Sequence, residues 1–324
     1  MSEAFAFGPV PSRRLGRSLG VNNIPPKVCT YSCVYCQLGK AVSVSTQRRA
    51  FYPPEEVAAA VQERLRAAYA QGQGVDYITV VPDGEPTLDL HLGRLLTLLK
   101  RLGVPVAVIT SGSLLWQDEV RSALCLADWV SLKADAAGEG PWRRVDRPHR
   151  ALRLSQILRG MAAFREQFGA FLATETMLVW GANDSAKELE AIADLVASLR
   201  PDTAYIAVPV RPPAESWVLP AAEGALLALH AALSARGVRA ELLTGYEGNA
   251  FSASGDAKAD LLSITAVHPM RRDAVEELLR RDGADWGLVH ELLGSGILVE
   301  LEYGQERFYL RKLPSRPHAR GRRQ

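Results

Sequence analysis

The chain has 324 residues, 48% of them hydrophobic, and 38 Lys and Arg against 36 Asp and Glu give a net charge of +2. That length fits one large domain with a small companion, or two medium domains, and the near-neutral charge singles out no partner. Four cysteines in so long a chain exclude a disulfide scaffold. No apolar run approaches the roughly 18 residues of a membrane span, and the opening MSEAFAFGPVPSRRLG lacks the apolar stretch of a signal peptide. A cytoplasmic protein without membrane contact is expected.

In chain order, a first strand is expected at 17–21, just before Cys29, Cys33 and Cys36. Val57, Val61 and Leu65 then recur at helical spacing. Short β-rich runs follow at 77–81, 106–110, 129–133, 176–180, 205–210 and 239–243, separated by helical stretches. The strands are apolar on both faces, as in a parallel sheet covered by helices. About six β/α units fall short of the eight that close a barrel over about 250 residues. They therefore predict a partial (β/α)6 TIM-like barrel over 1–245, with a doubly wound sheet as the alternative. Either fold places chemistry at the C-terminal ends of the strands.

From 246 to 260 the Gly-, Ala- and Ser-rich composition reads as a linker. Two short helices at 271–282 and 285–294, the second capped by Asp285, then precede a hairpin of 297–303 and 307–312. That order, in a small domain over 261–312, is the one expected of a winged helix-turn-helix. The segment 313–324 is a basic tail, a solvated end or a phosphate contact. Arg13, Arg14 and Arg17 form a second basic group, for phosphate or for internal bonds beside the cysteines.

The segment Cys29-Thr-Tyr-Ser-Cys33-Val-Tyr-Cys36 carries the decisive chemistry. Three close thiolates can each bind one iron of a cubane and leave the fourth iron open. A structural zinc site needs four ligands, and no second CxxC and no HxxxH follows; His91 and His149 are isolated. Cys125, in SALCLADWV, reads as a small buried hydrophobe.

The CxxxCxxC spacing with Tyr35 before the last cysteine resembles the radical S-adenosylmethionine (SAM) superfamily. The resemblance implies a [4Fe–4S] cluster held by Cys29, Cys33 and Cys36. SAM would occupy the open iron and be cleaved reductively to a 5′-deoxyadenosyl radical that takes hydrogen from a substrate. Asp83-Gly84-Glu85-Pro86-Thr87 resembles the superfamily's "GGE" motif, where backbone and acid meet the ammonium of SAM; alone it would read as a glycine turn. Thr110-Ser111-Gly112-Ser113 is similar to the ribose-contacting segment, or else caps a helix. Ser131 and Lys133 share one side of a strand, and Lys133 and Asp135 at its end are candidates for SAM carboxylate or substrate contacts, or a surface ion pair. Asn183 follows the fifth strand in a region similar to the one near adenine. Glu175 and 211–213 lie near strand ends.

The opening FGPVPSRRLGRSLGVNNIPPKVCTYSCVYCQLG, with GEPTL, SLKAD and RPP, looks like a group of Fe–S oxidoreductases close to the wyosine-base (imidazoguanine) tRNA synthases. Those synthases carry further N-terminal cysteines; here none precedes Cys29, so their reaction is not carried over. The resemblance implies a flavodoxin or ferredoxin as electron donor and admits a tRNA, protein or metabolite substrate. The runner-up from another class is a redox-sensing Fe–S regulator whose winged helix binds DNA or protein. Against DNA, the second helix, DWGLVHELLGSG, has no Lys or Arg.

Overall fold

A computed structural model describes residues 5–244, 251 and 255–312. Its main sheet has eight strands: β1 (Ala6–Ser12), β2 (Gly16–Val21), β5 (Tyr77–Val80), β6 (Val106–Thr110), β7 (Trp129–Lys133), β8 (Phe171–Met177), β9 (Thr203–Ala207) and β10 (Ala240–Leu243), side by side in that order. A minor two-stranded sheet, β3 (Val28–Cys29) with β4 (Ser43–Val44), is inserted after β2. β1 runs antiparallel to β2, and every other neighbour in the main sheet is parallel. The sheet curls into a partial barrel.

Each parallel strand up to β9 returns through at least one helix: α1 (Pro54–Ala70) after β2, α2 (Leu92–Lys100) after β5, α3 (Asp118–Leu124) after β6, α4 (Glu139–Val145) and α5 (Leu154–Gln167) after β7, α6 (Ala186–Leu199) after β8, and α7 (Glu223–Ala235) after β9. The six expected β/α units are therefore present, with β10 as a seventh parallel strand and β1 as an added edge.

Alternation of side chains along the strands divides the core. Val106, Val108, Val130, Leu132 and Leu172 point outward into the main hydrophobic cluster with the helices, where Val57, Val61 and Leu65 of α1 are buried as their spacing predicts. Each such side chain contributes about 1.5–3 kcal/mol. Ala107, Trp129, Ala173, Tyr205 and Leu243 point inward and fill the barrel floor with Leu15. The same parity brings Ile109, Lys133, Glu175, Met177 and Ala207 to the C-terminal rim.

Two strand assignments shift. The run expected at 176–180 is strand only to Met177; Val179 forms an isolated bridge to Pro220. Thr174, Glu175 and Thr176 disguise the strand as polar, yet all three are buried, and Thr176 Oγ1 donates to Ala134 O at 2.9 Å. The run expected at 205–210 leaves the sheet after Ala207, so Val208, Pro209 and Val210 turn toward the rim.

The C-terminal part is built from α8 (Ala257–Val267), β11 (Met270–Arg271), α9 (Arg272–Arg281), α10 (Gly287–Gly294), β12 (Leu298–Tyr303) and β13 (Glu306–Arg311), with its sheet in the order β11-β13-β12. The two expected helices and the hairpin form. Asp285 accepts from the Gly287 N–H at 2.7 Å, one residue before the N-cap position of α10. α8 begins inside the expected linker, where Asp256 caps it by accepting from the Ala259 N–H. Within that linker 246–250 and 252–254, and beyond it residue 245 and the basic tail 313–324, lie outside the described residues.

This part is fastened to the barrel by β1. Phe7 and Val10 pack with Phe251, Leu261, Ile264 and Met270. Arg64 of α1 donates to Gly8 O at 2.6 Å and to Asp260 Oδ1 of α8 at 2.8 Å, with the Asp260 side chain 1% exposed. Asp260→Ala strands the guanidinium of a largely buried pair and is expected to lower stability by about 3 kcal/mol, read from chemical denaturation.

Candidate active site

After β2 the chain leaves the sheet and crosses the barrel mouth as the cysteine loop. The loop closes on itself: Cys36 N donates to Cys33 O (3.2 Å), Gly39 N to Cys36 O (3.0 Å) and Ser45 N to Cys29 O (2.9 Å). Neighbouring segments strap it from outside. Val34 N donates to Val145 O (2.9 Å), Ser32 N to Asp146 O (3.1 Å), His149 N to Thr30 O (2.9 Å) and Glu215 N to Val34 O (3.1 Å). Cys29, Cys33 and Cys36 are all free and half-buried, and all three line one cavity of about 310 Å³ at the C-terminal ends of the strands.

The 83–85 turn lies directly against this loop. Lys27 N donates to Asp83 O (2.5 Å) and Glu85 N to Val28 O (3.1 Å). At Gly84 a Cβ would stand 1.9 Å from Val28 O, so only glycine allows the two backbones to meet here. Gly84 therefore acts by letting the turn approach the cysteines.

The Glu85 carboxylate is committed to the protein. Its Oε1 accepts from Thr87 N (3.1 Å), Thr87 Oγ1 (2.5 Å) and Thr110 Oγ1 (2.5 Å), and its Oε2 from Ser111 N (2.9 Å) and Ser111 Oγ (2.6 Å). It ties the end of β5 to the end of β6 and fixes Ser111 in the cavity wall. Sequence reasoning placed Glu85 on the cofactor ammonium; the structure keeps it in the cavity lining and gives it a second role, as an organiser of that wall.

On the opposite wall the Lys133 ammonium pairs with Glu175, which also pairs with Arg14, and lies 5.3 Å from the centre of the Tyr35 ring. Tyr35 donates its hydroxyl to Asp135, whose Oδ1 accepts from Met177 N at 2.6 Å. The Cys33 thiol donates to Asp146 Oδ1 at 3.5 Å. Burial, and then the neighbouring Asp135, hold the Asp146 carboxyl well above the usual carboxylate range. Burial likewise lowers Lys27, against the pull of Cys36 and Asp83.

Cys29, Cys33, Tyr35, Cys36, Gly84, Glu85, Ser111 and Lys133 are thus brought to one cavity, with Arg13, Arg14 and Arg211 on its rim. Pro86, Ser131 and Asn183 are not in its lining. Pro86 is buried at the start of a single 3-10 turn, where its carbonyl accepts from Asn23 Nδ2 at 3.1 Å. Ser131 faces inward, as alternation predicts, but one layer below Lys133, where it is 1% exposed. Asn183 spends its amide on backbone: Nδ2 donates to Asp135 O (2.8 Å) and Met177 O (2.9 Å), and Oδ1 accepts from Val179 N (2.8 Å). Sequence reasoning missed Lys27, Gln37 and Asp146. Lys27 and Gln37 flank the cysteines, the one available signal; nothing local marks Asp146.

The donor set fits an iron–sulfur cluster. Burial pushes the Cys29 thiol up to about 12, with Glu85 as the next cause, and burial also raises Cys33 and Cys36. Such thiols ionise when a cationic group binds and their protons leave. Among the described residues no three His, Cys, Asp or Glu side chains converge on a single ion.

The sequence pattern of the Radical SAM superfamily matches residues 23–196. The UPF0026 protein MJ1312 of Methanocaldococcus jannaschii is 39% identical over 314 residues, which is 96% of this chain and 97% of that one. In fold, the chain is similar to a radical SAM methyltransferase from Sphaerobacter thermophilus, with a TM-score of 0.52 at 17% identity over 70% of this chain and 66% of that one. It is also similar to TYW1 with a lysine-pyruvate adduct bound, with a TM-score of 0.50 at 18% identity over 68% of this chain and 73% of that one. Superfamily members use a [4Fe–4S] cluster and SAM. With a three-cysteine loop over the mouth of a partial barrel, and a pattern that matches more than half of its length, the chain belongs to the radical SAM superfamily and, within it, to the UPF0026 proteins.

Proposed function

We propose that Cys29, Cys33 and Cys36 hold the cluster and that this enzyme cleaves SAM reductively to act on a substrate in the same cavity. The observation that carries this reading is the convergence of three free thiols, the Gly84 turn and Lys133 on one cavity. When bound, the cluster supplies the electron that splits the sulfonium into methionine and a 5′-deoxyadenosyl radical. The chain supplies position and shelter. The Gly84 turn lets backbone approach the cysteines, and Glu85 holds Thr110 and Ser111 against the cofactor. Lys133, steadied by Glu175 and the face of Tyr35, offers a cation to a carboxylate.

Arg13, Arg14 and Arg211 at the rim favour a substrate that carries phosphate or carboxylate. A base in tRNA meets that requirement and agrees with the resemblance to the wyosine synthases. We read the C-terminal part as a winged-helix-like module that serves the barrel. Tyr303 Oη of its hairpin donates to Pro209 O at 3.0 Å, and His268 Nε2 lies 2.9 Å from Arg211 Nη2, so two of its side chains brace the cavity wall. This bracing, and an α10 without Lys or Arg, weigh against the DNA-binding regulator.

The test is anaerobic reconstitution with iron and sulfide, then reduction by dithionite with SAM. The expected products are methionine and 5′-deoxyadenosine in equal amounts, with deuterium transferred from a labelled tRNA substrate. An intact cluster that yields no 5′-deoxyadenosine overturns the reading.

A further inference from the structure

The geometry points to the outer face of the cysteine loop, formed by Arg143, Arg144, Trp180, Trp217 and Leu219, as the docking surface for an acidic one-electron carrier protein. This rests on the reading of the cavity as a SAM-cleaving centre, because such a centre needs an electron from outside. Reduced carrier gives up one electron and leaves oxidised; the cluster gains that electron, and no proton or group moves with it.

Three large apolar side chains stand in the open on this face: Trp180 is 59% exposed, Trp217 44% and Leu219 48%. They are held together by backbone, with Trp180 N donating to Leu219 O (3.0 Å) and Val179 bridged to Pro220. Beneath them Val34 of the cysteine loop packs with Val145, Val179 and Val218. An exposed apolar centre over a buried cluster of this kind marks an interaction site.

The rim is cationic. The run Glu139–Arg153 contains five arginines against two acids, Glu139 and Asp146. Asp146 is buried, so it offers little negative charge to the surface. Arg144 spends its donors on the Gly181 and Ala182 carbonyls (3.4 Å each), which bonds it without cancelling its charge. Glu215 serves both Lys40 and Arg147, leaving that trio positive. Arg143 pairs with Glu139, Asp184 accepts from the Gly181 N–H at 2.8 Å beside Trp180, and Glu223 lies nearby in sequence, so the positive excess rests on Arg150 and Arg153 of the run. An apolar centre with a positive rim is complementary to an acidic partner and speeds encounter.

Position separates this partner from the substrate. None of these five residues lines the cavity in which a reacting atom must sit. They lie on the reverse of the loop, and the path to the cysteines is short: Glu215 N–H donates to Val34 O at 3.1 Å, and Val34 is bonded to Cys33. An RNA substrate has to reach the cavity; an electron carrier has only to reach the loop.

Flavodoxin is the probe, with reconstituted holoprotein. Binding of oxidised flavodoxin is measured directly, and 5′-deoxyadenosine formation is driven either by reduced flavodoxin or by dithionite. Arg143→Glu/Arg144→Glu is expected to weaken flavodoxin binding by about tenfold or more at low ionic strength and to slow flavodoxin-driven turnover to match, with dithionite-driven turnover unchanged. Trp217→Ala, a change at an exposed side chain, is expected to act in the same direction if the double variant folds poorly. Wild-type affinity for flavodoxin and wild-type flavodoxin-driven turnover in both variants overturn the proposal. So does a loss of affinity for bulk tRNA with flavodoxin binding intact, which gives the face to RNA. Failure of the wild type to make 5′-deoxyadenosine with dithionite strikes the catalytic reading instead, and the binding measurement still decides the docking surface.

Discussion

Replacement of Cys29, Cys33 or Cys36 by alanine is expected to abolish 5′-deoxyadenosine formation, a loss on the order of a thousandfold or more, which corresponds to about 4 kcal/mol or more of lost transition-state stabilisation. Each thiol is held on backbone that the surrounding segments fix, and Cys125 lies on α3's C-terminal cap, away from the cavity lining. No fourth cysteine lies in the cavity lining to substitute. The cost to the fold is small by comparison. A half-buried cysteine behaves as a small hydrophobe, so each change is expected to cost about 1 kcal/mol in the apoprotein. Cys125→Ala is the control, with iron content and turnover expected to match the wild type. The assay is iron per chain and product per cluster after anaerobic reconstitution. Full iron in Cys36→Ala, or its loss in Cys125→Ala, contradicts the assignment of the cluster to this loop.

The fold was legible where chemistry repeats along the chain. The spacing of Val57, Val61 and Leu65 and the apolar runs of β6 and β7 follow from burial on one helical stripe or on both sheet faces, which is local information. β1 was illegible because AFGPVPS has no strand periodicity; its partners are β2 and the distant α8, and what buries Phe7 and Val10 is a module some 250 residues later. α8 was hidden by the Gly- and Ser-rich composition ahead of it. β8 was misplaced because buried Thr and Glu read as surface until their partners across the barrel are known.

The site divides along the same line. The cysteine loop is contiguous, so its spacing alone names the three thiols and Tyr35. Gly84 was legible as a glycine, but the reason for it, the approach of Val28 O, is not. Parity placed Ser131 and Lys133 on one side correctly, yet it carries no information about depth, and depth is what separates the two. For Asn183 position after a strand, and for Pro86 a place in the GGE-like motif, suggested the cofactor, whereas the structure gives the Asn183 amide backbone partners and the Pro86 carbonyl the side-chain amide of Asn23. Proximity in sequence to a strand's end identifies candidates; only the hydrogen-bond account tells which side chains have capacity left for a ligand.

Glu85 is the sharpest case, and it yields a prediction that separates the two roles. A residue that only meets the cofactor leaves the empty protein's stability unchanged when it is replaced. Glu85 is 1% exposed and accepts five hydrogen bonds from Thr87, Thr110 and Ser111. Removal of such an acceptor leaves two backbone N–H groups and three hydroxyls turned toward an apolar hole. The hydroxyls can rotate to other partners, as Ser113 Oγ does toward Thr30 Oγ1 (2.7 Å), but the N–H groups cannot. Each unmet buried donor costs about 1–3 kcal/mol, so Glu85→Ala is expected to lower apoprotein stability by about 4–5 kcal/mol. Glu85→Gln keeps one acceptor oxygen and is expected to cost about half as much, because its amide confronts the Ser111 N–H donor with another donor. Denaturant unfolding of the apoproteins under anaerobic conditions provides the measurement. Wild-type stability in Glu85→Ala with weakened SAM binding alone returns the residue to direct cofactor contact. Loss of stability without cofactor establishes that the carboxylate builds this wall of the cavity.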